Sequence, residues 1–270
     1  MPELPEVETI ARDLTDSLVG QKVVSARFFT AMIREDFSRV KPKELSGKTL
    51  IDVSRRGKNL IFNFSDDLSM VCHLKMTGRL LVDADSSHDR KHLHFEMQLS
   101  QSHLSFYDVR KFGRICLIPR QELKNHPRLS KLGPEPFAVS PDEFVQRVKH
   151  HNKTIKQVLL DQTIIAGLGN IYADESLYDA GIRPTAKPKR ISTDRLKNLL
   201  KSIIKILNYA IKNRGTSVDD YLDGHGNSGN FQNLLKIYGK TGQACLICGG
   251  KIKRIVLGGR STHYCPKCQK

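Results

Sequence analysis

His92-Leu93-His94-Phe95-Glu96-Met97-Gln98-Leu99 places apolar side chains at Leu93, Phe95, Met97 and Leu99 and polar ones at every position between. A period of two predicts a half-buried antiparallel strand. The polar turn Ser100-Gln101-Ser102 leads from it to apolar runs at Leu104 to Phe106 and Ile115 to Ile118. Val23 to Phe29, Leu60 to Phe64 and Met70 to Met76 read the same way, so the first half is expected to be an antiparallel β-sandwich. A helix should precede it. Pro5 suits a first turn, Glu6 and Glu8 favour the positive end of the dipole, and Val7, Ile10, Leu14 and Leu18 share one face before Gly20. Gly133-Pro134-Glu135-Pro136 marks a switch to helical periodicity. Helical segments are expected at Pro141 to His150, Ile155 to Thr163, Ile171 to Ala180 and Thr193 to Asn213. In the last, Leu196, Leu199, Leu200, Ile203, Leu207, Ala210 and Ile211 form one face, with Gly215 just beyond the end. The pattern is that of an α+β multidomain chain.

The 270 residues include 44 Lys and Arg against 28 Asp and Glu, a net charge of +16. With 39% hydrophobic and 27% charged residues the chain is neither disordered nor membrane-embedded. No apolar run reaches the roughly 18 residues that a spanning helix needs. Acids at Glu3 and Glu6 stand where a signal peptide would be basic, so a reducing compartment is expected. A surplus of this size points to a polyanionic partner, and nucleic acid is favoured over membrane because no basic amphipathic helix occurs. From Gly224 to Lys270 there are eight basic residues and no Asp or Glu. Arg183, Lys187, Lys189 and Arg190 form a second basic cluster.

Cys245-x2-Cys248 and Cys265-x2-Cys268, sixteen residues apart, have the spacing of two knuckles that hold one structural Zn²⁺ by four thiolates. Cys72 and Cys116 fall in strand runs and read as buried small hydrophobes. Ala166-Gly167-Leu168-Gly169-Asn170 joins two helical runs; it is either a plain capped turn or a phosphate seat at a helix N-terminus. Glu3, Glu6 and Glu8 are either helix-dipole charges or acid-base groups, and Lys58 lies in a basic turn, Arg55-Arg56-Gly57-Lys58-Asn59. Gly224-His225-Gly226-Asn227-Ser228-Gly229-Asn230 is either a linker or a mobile lid. Removal of Met1 would expose Pro2 as a secondary amine, and an α-amino pKa of about 7.7 to 8.0 leaves such a group partly unprotonated and nucleophilic at neutral pH.

Pro2-Glu3-Leu4-Pro5-Glu6-Val7-Glu8-Thr9 resembles the opening of bacterial formamidopyrimidine-DNA glycosylases, and the likeness spans the chain. Lys58 in its turn, His73 to Gly78, Asp108 to Gly113, Gly167 to Tyr172, Tyr238 to Gly242, Gly259 to His263 and the cysteine knuckles follow in family order. The resemblance implies an N-terminal antiparallel β-sandwich with flanking helices, followed by a helix-two-turn-helix domain and a β-hairpin zinc ribbon. The expected boundaries are 1–133, 134–223, a lesion-capping loop at 224–235, and 236–270. It further implies a monomeric cytoplasmic bacterial enzyme, associated with the nucleoid through duplex DNA that carries oxidised purines or abasic sites. Excision of 8-oxoguanine or formamidopyrimidine through a Pro2 Schiff base would precede β- and δ-elimination.

By the same likeness Glu3 donates a proton for sugar-ring opening and Glu6 supports it. Lys58 and Arg260 serve the two eliminations, and Asn170 holds the phosphate beside the lesion. Met76, Arg110 and Phe112 fill the hole left by the extruded base, and His73, His92 and Lys156 are further DNA contacts. Against this, core packing would explain Met76, whose parity matches Met70 and Leu74. The chain departs from the family pattern at Leu93, where an acid is common, at His150-His151-Asn152, which is poorer in charge, and in the absence of lysine from 227–231. Two rivals share these features: an endonuclease VIII-type glycosylase preferring oxidised pyrimidines, and a non-catalytic damage-binding protein.

Overall fold

The computed structural model describes residues 1–84, 89–218 and 221–270. It divides into two compact units, Met1–Ser130 with Asn213–Gln232, and Lys131–Lys212 with Asn233–Lys270.

Unit 1 begins with helix α1, Leu4–Leu18. Glu3 caps it reciprocally with Glu6, whose Oε2 accepts the Glu3 N–H at 2.8 Å. The face Leu4, Val7, Ile10, Leu14 and Leu18 is buried as its spacing predicts. Eight strands follow as two antiparallel sheets. One has the order β1 (Val23–Phe28), β6 (Leu93–Leu99), β7 (His103–Asp108), β5 (Gly78–Val82). The other runs β2 (Leu50–Arg56), β3 (Asn59–Phe64), β4 (Leu68–His73), β8 (Arg114–Pro119). Phe95, Met97, Leu104 and Phe106 of the first sheet share one core with Leu60, Phe62, Phe64 and Leu117 of the second and with α1. Each of these fully buried side chains contributes about 1.5–3 kcal/mol relative to exposure. Cys72 belongs to this core, and Cys116 packs with Val71 and Ile118 on the opposite face of the second sheet.

The opening stretch forms its strand with two differences. His92 lies in a short 3₁₀ turn before β6, and the pairing register shifts between Leu93 and Phe95. His94 is consequently buried, with Nε2 2.8 Å from the Asp108 carbonyl oxygen. The run Met70 to Met76 is also cut short: β4 stops at His73, Lys75 takes φ +56, and Met76 emerges 42% exposed. Core packing therefore does not account for Met76. β2 and β5 are not announced by alternation; their faces mix serine, aspartate, arginine and glycine with a few aliphatics.

Unit 2 contains α2 (Pro141–Lys149), α3 (Ile155–Leu159), α4 (Asn170–Asp179) and α5 (Thr193–Lys212). α5 buries Leu196, Leu199, Leu200, Ile203, Leu207 and Ala210, and adds Ile206, while Ile211 is only half-buried. α4 is the central helix, with Tyr172 to Tyr178 all buried. The chain ends in an antiparallel hairpin of β9 (Lys253–Leu257) and β10 (Arg260–Tyr264). Its two-residue turn, Gly258-Gly259, needs φ +55 and +74, the left-handed pair that glycine adopts without strain.

The unit division cuts the chain differently from the expected domains, grouping the helical segment with the ribbon and splitting the expected 224–235 loop. Residues 213–232 pack with the sandwich, so an expected 134–223 domain would cross from one unit into the other. The cause is charge on α1: Glu6 accepts the Thr216 N–H at 2.8 Å, and Asp13 accepts the Gly224 N–H at 3.1 Å.

Candidate functional site

In unit 1 the chain start is built into the core. Pro2 is buried and Glu3 and Glu6 are 3% and 2% exposed, so these acids are not dipole decoration on a wet surface. The two Glu6 oxygens face two backbone donors, Glu3 N at 2.8 Å and Thr216 N at 2.8 Å, which fixes the residues beside Pro2. Gly215 approaches so closely that a Cβ there would stand 2.7 Å from Glu6 Oε1. Lys58 is also buried, in the tight β2–β3 turn around Gly57 at φ +59. Arg55 steadies that turn, its Nη1 donating to the Gly57 carbonyl at 3.0 Å and its Nε to Glu8 Oε2 at 3.0 Å.

A second group of unit 1 residues lies at the surface. Met76 and Phe112 are 42% and 46% exposed, and Arg110 brings them together: its guanidinium lies 4.6 Å from the Phe112 ring centroid and 3.4 Å from Met76 Sδ. Asp108, fully buried, holds the loops that carry them. It accepts the Gly113 N–H at 2.7 Å and the Arg110 N–H at 3.2 Å, and it also receives the Thr77 hydroxyl. A Cβ at Gly113 would lie 2.4 Å from Phe106 Cζ, so only glycine fits there. Asp108 opens the Asp108–Gly113 motif, and nothing in the local pattern marks it as the residue that holds these loops. His73 is held by its Nδ1, which accepts the Lys75 N–H at 2.9 Å. Burial above all, then the charges of Lys75, Arg128 and Lys58, push its pKa well below the usual histidine value, so the ring is neutral. His92 borders a pocket with Thr77, Arg79 and Tyr107.

In unit 2 the turn before α4 is stapled by Gln162. Its amide donates to the Leu160 and Leu168 carbonyls at 3.1 and 2.8 Å and accepts the Gly167 N–H at 2.9 Å. Gly169 is the N-cap and Asn170 the first helical residue, with no side-chain cap. Asn170 was expected to cap this helix; instead it is the first helical residue, and its Oδ1 is buried without a hydrogen-bond partner. Arg260 starts β10 at the glycine turn and is exposed.

Lys156 requires a correction. It is fully buried, and its Nζ donates to the Ser261 carbonyl at 2.8 Å and Thr262 Oγ1 at 2.9 Å and pairs with Asp174 Oδ1 at 2.7 Å. An ammonium so enclosed does not reach a phosphate. Asp174 Oδ2 in turn accepts the His263 N–H at 2.8 Å, while neighbouring Glu175 accepts backbone N–H groups of Lys236, Ile237 and Tyr238 at 2.9–3.1 Å. These buried acids have no periodic signal; two adjacent charges between Ala173 and Ser176 are their only trace.

Cys245, Cys248, Cys265 and Cys268 converge with all four sulfurs within 4.8 Å of one another. Sγ separations of 3.7 Å for Cys245–Cys268 and 3.5 Å for Cys248–Cys265 are far beyond a disulfide. They match the edge of a tetrahedron with Zn–S bonds of about 2.3 Å. The donor set fits one structural zinc ion, with no position open for substrate. The Tyr178 hydroxyl, 3.1 Å from Cys245 Sγ, supplies an outer partner.

A buried Pro2 followed by the enclosed Glu3 and Glu6, an exposed cluster of Met76, Arg110 and Phe112, a helical hairpin with a glycine turn and a four-cysteine ribbon have the makeup of a zinc-ribbon DNA-repair protein. Family models agree over nearly the whole chain, matching the formamidopyrimidine-DNA glycosylase N-terminal domain at residues 1–115, its H2TH domain at 132–221 and the zinc finger found in FPG and IleRS at 242–270. The chain belongs to the formamidopyrimidine-DNA glycosylase family. It is 42% identical to the Lactococcus lactis subsp. cremoris formamidopyrimidine-DNA glycosylase over 274 residues, 100% of both chains. Among solved structures it resembles Lactococcus lactis Fpg bound to abasic-site DNA, at 39% identity and TM-score 0.89 over 99% of each chain. The same enzyme bound to Fapy-dG DNA matches with 39% identity and TM-score 0.89, over 99% of this chain and 100% of that one.

Proposed function

We propose that this protein excises oxidised purines, 8-oxoguanine and formamidopyrimidines, from duplex DNA and then cleaves the strand at the abasic site. The observation that carries the reading is the buried start of the chain, where Pro2 and Glu3 are enclosed and Glu6 holds the backbone of Glu3 and of Thr216.

With Met1 removed, the Pro2 amine attacks C1′ of the damaged nucleotide. The glycosidic bond breaks, and its electron pair leaves with the base. Glu3 donates a proton to the ring oxygen as the sugar opens, which leaves an iminium between Pro2 and C1′. That cation acidifies the 2′ position, so loss of a 2′ proton expels the 3′ phosphate, and a second elimination expels the 5′ phosphate. Lys58 and Arg260 assist these eliminations, and the Asn170 amide with the α4 N-terminus holds a phosphate. Glu6 acts through Glu3 as a positioning residue. Base extrusion costs a few kcal/mol of stacking and pairing. Met76, Arg110 and Phe112 offset it by filling the vacated space, with Arg110 able to hydrogen-bond the unpaired partner base. His73, at the end of β4, and His92, in the 3₁₀ turn before β6, add contacts to the DNA backbone. The +16 charge supplies salt-sensitive affinity for the duplex. No helix among the described residues is long and apolar enough to cross a membrane. We place the enzyme in the cytoplasm, at the nucleoid, as a monomer.

Borohydride reduces the iminium to a stable crosslink, so wild-type protein should be trapped on abasic-site or 8-oxoguanine duplexes. Protein that retains Met1 should not be. Efficient trapping with Met1 in place would remove Pro2 from the mechanism. Faster release of thymine glycol than of 8-oxoguanine opposite cytosine would replace the purine preference with the pyrimidine one.

A further inference from the structure

On the outer face of the second sheet of unit 1, opposite the core shared with α1, three side chains with metal-binding donors converge: Glu35, Cys116 and His126. Their ligand atoms lie within 4.8 Å of one another. Backbone pairing sets them there. The Glu35 N–H donates to the Ile115 carbonyl at 2.9 Å and Ser38 Oγ accepts the Leu117 N–H at 3.0 Å, so the 35–38 segment runs along β8 past Cys116. His126 follows the 3₁₀ turn Arg120–Asn125 directly after β8, and its ring meets the Phe37 ring edge-on at 5.7 Å.

These donors are enclosed and incompletely satisfied. Cys116 and His126 are fully buried, and the Glu35 side chain is 10% exposed. Among the described residues His126 Nε2 has no hydrogen-bond partner; Glu35 Oε2 stands 3.7 Å from it, beyond hydrogen-bond reach. A buried ring nitrogen left in this way is costly, and a cation between it and the carboxylate would satisfy both. The Arg128 guanidinium pairs with Glu35 Oε1 and leaves Oε2 facing the imidazole. Burial raises the Glu35 pKa, pushes His126 down to about 4, so that its ring is neutral, and pushes the Cys116 thiol up to about 11. Packing as a small hydrophobe accounts for Cys116 alone; it does not account for a carboxylate and an unpaired imidazole beside it.

We propose that Glu35, Cys116 and His126 form a second metal site, which takes one borderline-soft divalent cation of the zinc class through Oε2, Sγ and Nε2. One thiolate and one carboxylate balance its two charges, and mixed sulfur, nitrogen and oxygen donors suit zinc rather than magnesium or calcium. Bond lengths of about 2.0–2.3 Å put tetrahedral ligands about 3.3–3.6 Å apart, so the donors close by roughly 1 Å on binding. The Cys116 proton goes to solvent. The ring proton moves from Nε2 to Nδ1, and the contact in which Nδ1 accepts the Arg128 N–H, long at 3.3 Å, is given up. Arg128 stays on Oε1 and orients the carboxylate as an outer partner. With three protein ligands and a guanidinium nearby, the site binds more weakly than the four-thiolate ribbon. The ion would tie together segments around residues 35, 116 and 126, and the inference does not rest on the proposed function.

Cobalt titrated into the full chain with its ribbon zinc in place tests the site. One equivalent beyond the zinc should bind with a thiolate-to-cobalt charge-transfer band and raise the unfolding temperature. Cobalt-edge X-ray absorption should show one sulfur among nitrogen and oxygen neighbours. Cys116→Ser should abolish the band, and His126→Gln should weaken binding by about tenfold or more, with one zinc per chain retained in both. Three results would overturn the proposal. Absence of the extra equivalent would leave Glu35, Arg128 and His126 as a structural clip, a shell of four sulfurs would mean exchange into the ribbon, and a band that survives Cys116→Ser would mean another thiolate. If either variant does not fold, the wild-type absorption spectrum decides alone, because a shell without sulfur also removes Cys116 from the site.

Discussion

Two pairs of buried acids can be compared. On α4 in unit 2, Asp174 and Glu175 face an enclosed lysine, a histidine backbone and three successive amides from residues 236–238. At the start of α1 in unit 1, Glu3 and Glu6 are as deeply buried, yet Glu6 accepts from the backbone of Glu3 and Thr216. The α4 acids join distant parts of one fold, and burial pushes the Glu175 pKa up even though three N–H donors oppose it. The α1 acids fix backbone next to Pro2, the residue proposed to react. Buried charge ties distant segments together in one unit and, on the proposed function, holds the reactive chain start in the other; what distinguishes them is what the partners are attached to.

The sharpest way to break the comparison is to dismantle the architecture of unit 2 alone. Cys265→Ser should release the metal, and elemental analysis should fall from one zinc per chain toward none. The ribbon should lose folding free energy on the order of 10 kcal/mol. Hydrogen exchange should then rise across 242–270 while α1 and the sandwich keep their protection. Loss of protection throughout unit 1 would show that the two kinds of burial are not independent.

A smaller effect is expected at Lys156. Lys156→Ala leaves Asp174 buried without its cation and should cost about 3–5 kcal/mol in denaturant unfolding. At temperatures where the variant stays folded, the salt dependence of its DNA binding should keep the wild-type slope, because the ammonium contacts no phosphate. A slope reduced by about one would restore Lys156 as a DNA contact.

Least is expected in stability at the exposed wedge. Phe112→Ala should change unfolding free energy by no more than about 0.5 kcal/mol. Excision of 8-oxoguanine should nevertheless fall by roughly tenfold, since the vacated stack is no longer filled. A variant that unfolds easily would place Phe112 in the core instead.

Much of this was legible from local pattern. Alternation at 93–99 announced β6, the spacing of α5 announced its buried face, and paired CxxC motifs announced the zinc ligands, because each signal is carried by neighbours a few residues apart. The failures share a cause. The strand expected to run from Met70 to Met76 ends at His73, and His94 has surface parity but a register shift buries it. Lys156 resembles a DNA-contacting lysine, yet its partners lie on Asp174 and on 261–262, far along the chain. Alternation also says nothing of Asp13, whose arginine and amide partners are about two hundred residues away.

Taken alone, the amino-acid sequence determined the sandwich-then-helices order, the metal ligands, the polyanionic partner and, through its family motifs, the candidate chemistry. These depend on residue type and short spacing, which a linear chain displays. Tertiary structure alone decided which charges are enclosed and which are presented: the burial of Lys156, the exposure of the Met76, Arg110 and Phe112 wedge, and the capture of 213–232 by the acids of α1. Those outcomes depend on desolvation and on donors brought together by folding, and neither is a property of sequence neighbours.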